Sequence, residues 1–256
     1  MAEVETTRDG AVLTIVLNRP DKLNAFDAAQ HKAFSGALKE AADPEVRAVV
    51  LTGSGHGFCV GQDLTELSGG DRDVAGLLRE RWNRHVLGLQ GLEKPVLAAV
   101  NGSAAGAGLS LACACDLRIA ADKAAFVPAF ITVGLVPDTG GSWLVPQLLG
   151  YTRAFEWMCS GRKIDAQEAL AWGLVSEVVD TDTVVARTQE RAAELAALPT
   201  RAIAMTKRLF QRAPTTRLED QLELEAQLQV AATRTEDFAE GVAAFLEKRE
   251  PRFTGR

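Results

Sequence analysis

One acid and two glycine-rich turns are the segments of this 256-residue chain that could do chemistry. The acid is Asp138, in Gly134-Leu135-Val136-Pro137-Asp138-Thr139-Gly140-Gly141-Ser142-Trp143. Among apolar groups such as Val136, Phe130 and Trp143, its carboxyl would rise in pKa and suit proton transfer. The plainer reading makes it a cap for the following helix. The turns are Gly53–Gln62 with Asp63, and Asn101-Gly102-Ser103-Ala104-Ala105-Gly106-Ala107-Gly108, which leads into an apolar helix. Glycine lets backbone approach a ligand closely, and a helix start leaves N–H groups without partners, so an anionic oxygen would be welcome there. A tight strand-to-helix turn packed on a neighbour would use the same residues. Neither turn spells G-x-G-x-x-G or carries a P-loop lysine, which argues against a dinucleotide or nucleoside triphosphate.

Other chemistries find less support. Ser110 lies in Gly108-Leu109-Ser110-Leu111-Ala112, which is not a nucleophile elbow. His31, His56 and His85 stand among polar neighbours, are expected at the surface, and have no metal-ligand spacing. Cys59, Cys113, Cys115 and Cys159 read as small buried hydrophobes in a reducing compartment rather than a disulfide framework. Asp116 reads as a cap or turn residue. With 28 basic against 34 acidic residues, a net charge of −6 and 6% aromatics, the chain offers no basic or base-stacking surface for nucleic acid or an anionic membrane. Met1–Gly10 has no apolar run for a signal peptide, and no stretch of about 18 apolar residues exists for a membrane span. A cytoplasmic protein is expected.

The elements that must position these residues alternate at first. Ala11–Leu17, Arg47–Thr52, Pro95–Val100, Leu117–Ala120 and Ala124–Val127 read as strands. Helices are expected from Asp27 to about Ala42 and from about Val74 to Gly91, giving crossover units of an α/β core. After Gly140 the pattern is helical: Ser142–Leu149, Thr152–Ser160, Ala166–Trp172, Thr183–Leu198, Thr200–Gln211, Arg217–Thr233 and Glu236–Lys248. The mixed face of the Arg217 segment suits a helix packed on a partner.

In this order the segments resemble the crotonase (enoyl-CoA hydratase/isomerase) superfamily from about Val12 to Arg256. The matching stretches are Asn18-Arg19-Pro20-Asp21-Lys22-Leu23-Asn24-Ala25, Gly57-Phe58-Cys59-Val60-Gly61-Gln62-Asp63-Leu64, Lys94–Asp116 and Phe245-Leu246-Glu247-Lys248-Arg249. The resemblance implies an α/β spiral of ββα units over residues 1–195, with a helical region at 196–256 that mediates homotrimers, often paired into hexamers. It implies an acyl-CoA ligand and no metal or redox cofactor. The backbone N–H groups of Gln62 and Ala107 would form an oxyanion hole. Asn24, Ala25, Gly61, Gln62, Asp63 and Leu64 would line the CoA groove. Lys248 would reach the adenosine phosphate of a neighbouring subunit.

Departures from the family pattern bear on the reaction. Ser110 and Phe130 stand where the hydratases carry two glutamates, while Asp138 stands where some relatives carry a single acid. Ser110, Phe130 and Trp143 would then line the acyl pocket. This is similar to members that move double bonds, especially 1,2-epoxyphenylacetyl-CoA isomerases and Δ3,Δ2-enoyl-CoA isomerases. A weak hydratase and an idle acyl-CoA-binding protein are the alternatives. A dehalogenase is disfavoured, because its tryptophan and histidine fall at Phe130 and near Asn83. The charged, glycine-bearing Ser68–Arg84 segment would shape the acyl pocket, and mobility is expected of it.

Overall fold

The computed structural model describes residues 2–67 and 73–256, so Ser68–Arg72 of the pocket-shaping segment lie outside the described residues. Strands β1 (Val4–Asp9) and β2 (Val12–Leu17) form an antiparallel hairpin that turns at Gly10, φ +55°. Helix α1 (Ala28–Ala41) follows, capped by Asp27, whose side chain accepts from the Gln30 N–H. A three-part unit then repeats. Its first copy is β3 (Ala48–Gly53), β4 (Gly57–Cys59) and a helical run made of α2 (Val74–Leu77), a π turn (Leu78–Trp82) and α3 (Asn83–Gly91). The second is β5 (Val96–Val100), β6 (Ser103–Ala105) and α4 (Ala107–Cys113). The third is β7 (Leu117–Ala121), β8 (Ala125–Val127) and α5 (Gly141–Leu149).

In every copy the longer strand joins one sheet and the shorter strand another. The larger sheet has order β1-β2-β3-β5-β7-β10 and the smaller β4-β6-β8-β9, where β9 is Ile164–Asp165 and β10 is Glu177–Val179. Strands β2, β3, β5, β7 and β10 pair in parallel. Strands β3 and β5 are buried along their whole length, as parallel strands covered on both faces must be. This is the expected spiral of ββα units.

The remaining helices are α6 (Tyr151–Ser160), α7 (Ala166–Ala171), α8 (Val184–Ala196), α9 (Thr200–Arg212), α10 (Leu218–Ala232) and α11 (Glu236–Glu247). Lys207 of α9 pairs with Asp116 at 2.8 Å, and Arg47 donates to Thr200, to the Leu198 carbonyl and to the Phe253 carbonyl. Helices α10 and α11 leave Leu218, Leu222, Val230, Phe245 and Leu246 exposed. Among the described residues no helix is long and apolar enough to cross a membrane.

The structure corrects three sequence expectations here. Cys159 is exposed on α6, while the other three cysteines are buried. Val4–Asp9 is a strand, hidden from pattern reading because it is a polar edge with little burial. Within the two glycine-rich turns β4 and β6 are strands, which pattern does not reveal because three residues cannot display an alternation.

Candidate active site

Backbone contact decides the shape of the two glycine-rich turns. A Cβ at Gly102 would lie 2.0 Å from the His56 carbonyl oxygen, and one at Gly108 would lie 2.1 Å from that of Cys59. The turns therefore pack backbone to backbone, and α4 starts directly beside β4. Gly61 has φ +91° and Gly106 φ +52°, conformations that side chains resist. The amide of Ala107 is the first of α4 and has no intrahelical acceptor. Next to the other turn, the Gly61 carbonyl accepts from Phe26 N at 2.7 Å, and Asp63 N donates to the Phe26 carbonyl at 2.9 Å. Because a trans peptide points its N–H opposite its C=O, the Gln62 N–H faces away from Phe26. It meets no acceptor among the described residues. A Cβ on Gly61 would stand 3.1 Å from Ala107 N, so only a bare glycine separates the two amides. The Gln62 and Ala107 amides thus lie near each other across Gly61, and neither has a backbone acceptor among the described residues.

Asp138 is tied to α4 by Ser110. The Ser110 hydroxyl donates to the Asp138 carbonyl at 3.0 Å, and Ser110 lies three residues, under one helical turn, beyond Ala107. The carboxyl does not cap α5, whose N-cap is Gly140 without a side-chain bond. Its Oδ1 accepts instead from the Thr139 hydroxyl at 2.8 Å. Burial raises the Asp138 pKa above the ordinary carboxylate value, and the Thr139 hydroxyl pulls partly back. Thr139 itself is buried at φ +53°, a costly conformation for a β-branched residue. Thr139→Ala removes a hydrogen bond to the charged carboxyl. The acid limb of the pH–rate profile should then move up by about half a unit to one unit, given about 1 kcal/mol for such a bond. An unmoved limb would show that Thr139 does not tune this acid.

The environment of Asp138 differs from expectation in two respects. Val136 is 77% exposed and Trp143 43% exposed. Trp143 lines a separate apolar groove of about 590 Å³ with Leu144, Leu195, Ile203 and Phe210, under α9. As the third residue of α5 it points along a different helix face from the Asp138 loop. Phe130 is buried, as is Ser110, whose hydroxyl is spent on the Asp138 backbone rather than opened to an acyl group. A Cβ at Gly141 would lie 2.5 Å from the Ser110 oxygen, so the space around Ser110 is already taken. Ser110→Glu should therefore destabilise the fold by about 3 kcal/mol or more through a crowded, buried carboxylate, and should create no hydration activity. A stable, hydrating variant in thermal melts and assay would contradict this packing.

The expected CoA-groove residues form a loop held from within. Buried Asn24, at φ +59°, donates to the carbonyls of Ser54 and Gly57 and accepts from Arg19 N. Arg19 also donates to the carbonyl of buried Ala25 and pairs with Asp63 at 3.2 Å and Asp27 at 3.1 Å. Thr65 and Arg19 hold the Asp63 carboxyl below its usual pKa. Leu64, 56% exposed, is the side chain this loop presents outward. Lys248 ends α11 in the left-handed conformation with its side chain exposed. Among the described residues no group of three or more His, Cys, Asp or Glu side chains could hold a metal ion.

The expectation of surface histidines fails for two of the three. His31 is 3% and His85 1% exposed, and their rings stack at 5.1 Å, in contact with Phe26 and Trp82. Sequence reading missed them because His31 stands between Gln30 and Lys32 and His85 follows Asn83-Arg84, while helical spacing turns both inward. Burial lowers His31 to about 4 and His85 to about 3. His56 is exposed as expected.

The repeated ββα spiral is that of a known class, and the chain belongs to the enoyl-CoA hydratase/isomerase family, whose model matches residues 7–256. The 1,2-epoxyphenylacetyl-CoA isomerase of Escherichia coli (strain K12) is 42% identical, covering 96% of this chain and 95% of that protein. A Rhodobacter capsulatus protein named "Probable enoyl-CoA hydratase" is 45% identical over 94% of both chains. The crystal structure of an enoyl-CoA hydratase from Bacillus anthracis superposes with a TM-score of 0.94 at 32% identity, covering 99% of this chain and all of that one.

Proposed function

We propose that this enzyme isomerises an acyl-CoA thioester, shifting a double bond or rearranging a ring epoxide through an enolate. The observation that carries the reading is Asp138, whose carboxyl is raised in pKa by burial and whose backbone carbonyl accepts from Ser110, three residues beyond Ala107. As a carboxylate, Asp138 takes a proton from the carbon next to the thioester carbonyl. Negative charge then develops on the carbonyl oxygen, where the Gln62 and Ala107 N–H groups receive it. Each such donor is worth about 3–4 kcal/mol in related oxyanion sites. The protonated Asp138 returns the proton two carbons further along, which moves the double bond. Hydration would need a further group to activate water, and the places where the resemblance expects one hold Ser110 and Phe130. The name of the Escherichia coli relative adds support for an isomerase, and for a phenylacetate-derived substrate.

The rival is hydration, which the name borne by the Rhodobacter relative favours. Incubation with a 3-enoyl-CoA and, separately, with crotonyl-CoA distinguishes them. Isomerisation well above hydration supports the proposal; hydration with no double-bond migration overturns it. Tight acyl-CoA binding without turnover would make the chain a binding protein. The same reading requires no cofactor beyond the CoA thioester itself and places the enzyme in the cytoplasm. It uses the exposed apolar residues of α10 and α11 in a homotrimer or homohexamer, where Lys248 would meet the CoA of a neighbouring subunit. Sedimentation as a monomer would refute that assembly.

A further inference from the structure

A chain of hydrogen bonds, buried between the two histidines and part-buried at Gln62, runs from α3 to the Gln62 side chain, and its direction can be fixed atom by atom. The Trp82 indole Nε1 only donates, and it lies 3.0 Å from Gln62 Oε1, so that atom is the amide oxygen. His31 Nε2 lies 3.1 Å from the same oxygen and must donate to it. His31 is held neutral by burial, so its Nδ1 carries no proton. His85 Nε2, 2.8 Å away, therefore donates to His31 Nδ1. His85 Nδ1 is left as a bare acceptor, and it is one of the buried atoms that have no hydrogen-bond partner among the described residues. The order is His85 to His31 to Gln62, with one tautomer at each ring. The π turn at Leu78–Trp82 immediately precedes α3, and Trp82 and His85, three residues apart, share its inward face.

This chain ends on the residue whose backbone N–H is offered to the thioester oxygen. Gly61 precedes it at φ +91°, a joint that no side chain restrains. Two holds remove that freedom. Phe26 N grips the carbonyl of the same peptide, and the Phe26 ring packs against the His31 ring at 5.0 Å. The Gln62 side chain is gripped by His31 and Trp82. We propose that His31, backed by His85, is a positioning residue for the oxyanion hole, fixing the Gln62 peptide through the Gln62 side chain. The inference rests on the reading of Gln62 and Ala107 as donors to the substrate carbonyl.

The test uses the C=O stretch of butyryl-CoA labelled with ¹³C at the thioester carbonyl, bound to the intact enzyme. This readout reports donor alignment and requires no turnover. His31→Gln can place an amide nitrogen where Nε2 stood and keep the bond to Gln62. His31→Asn reaches only the Nδ1 position and loses it. The inference expects a downshifted stretch in the wild type, retained in His31→Gln, and reduced by at least about half in His31→Asn. In a 3-enoyl-CoA assay His31→Asn should lose about 10-fold or more in kcat, with KM changed less than about threefold. Equal, wild-type shifts in both variants would overturn the inference and leave the oxyanion-hole reading intact. No shift in the wild type would instead sink that reading. If His31→Asn fails to fold, Gln62→Ala removes the same handle from a half-buried position and must reduce the shift likewise; an unchanged shift overturns the inference.

Discussion

Asp138→Asn should lower isomerisation by about 10²–10⁴-fold, the usual worth of a positioned acid–base group. The amide has the same shape but cannot take up a proton. Asn can still accept from the Thr139 hydroxyl, and the Ser110 bond to the backbone carbonyl is untouched. The loop should therefore stay in place, and the affinity for a saturated acyl-CoA should change less than about threefold. Thermal stability should hold or rise, because burial already penalises the charged carboxyl. Turnover and binding measured on one preparation separate these effects. A loss of less than about tenfold would show that another group moves the proton.

The second large effect is on stability in mild acid. The pKa values of His31 and His85, depressed to about 4 and about 3 in the fold, return to about 6.5 in the unfolded chain. Well above pH 6.5 both states are neutral and nothing is lost. As the pH falls below 6.5 the unfolded chain takes up protons that the fold refuses, so stability declines until the folded values are reached. At pH 5 the loss is about 2 kcal/mol for each ring, about 4 kcal/mol for the pair. Arg81 pushes His31 further down and Asp27 pulls it up, so the ring sits between opposing charges. Urea midpoints at pH 7 and pH 5 measure the loss. A His31→Gln/His85→Leu double variant should show a much smaller fall over that interval. An equal fall in both proteins would place the acid sensitivity elsewhere.

Much of the fold was readable because its central strands are continuous apolar runs and its late helices are bounded by Gly and Pro. The two glycine-rich turns were readable for the same reason, since close backbone approach demands glycine at Gly102 and Gly108 whatever the ligand. What escaped was information carried by three-dimensional neighbours. Ser110 reads as a small residue in an apolar helix, and only the fold shows its hydroxyl on the Asp138 carbonyl. Trp143 stands five positions from Asp138, yet the turn of α5 carries it into another groove. His31 and His85 are 54 positions apart and share a bond that no local pattern announces. Thr139 looks like an ordinary loop residue until its positive φ is seen beside the acid.

If Asp138 alone moves the proton, the hydrogen it takes from one carbon returns to another. Single-turnover conversion of a 3-enoyl-CoA deuterated at C2, run in ordinary water, tests it directly. A monoprotic shuttle predicts deuterium at C4 in part of the product, with that transfer absent from Asp138→Asn. Product whose new C4 hydrogen comes wholly from solvent, or transfer that survives the substitution, would contradict the account.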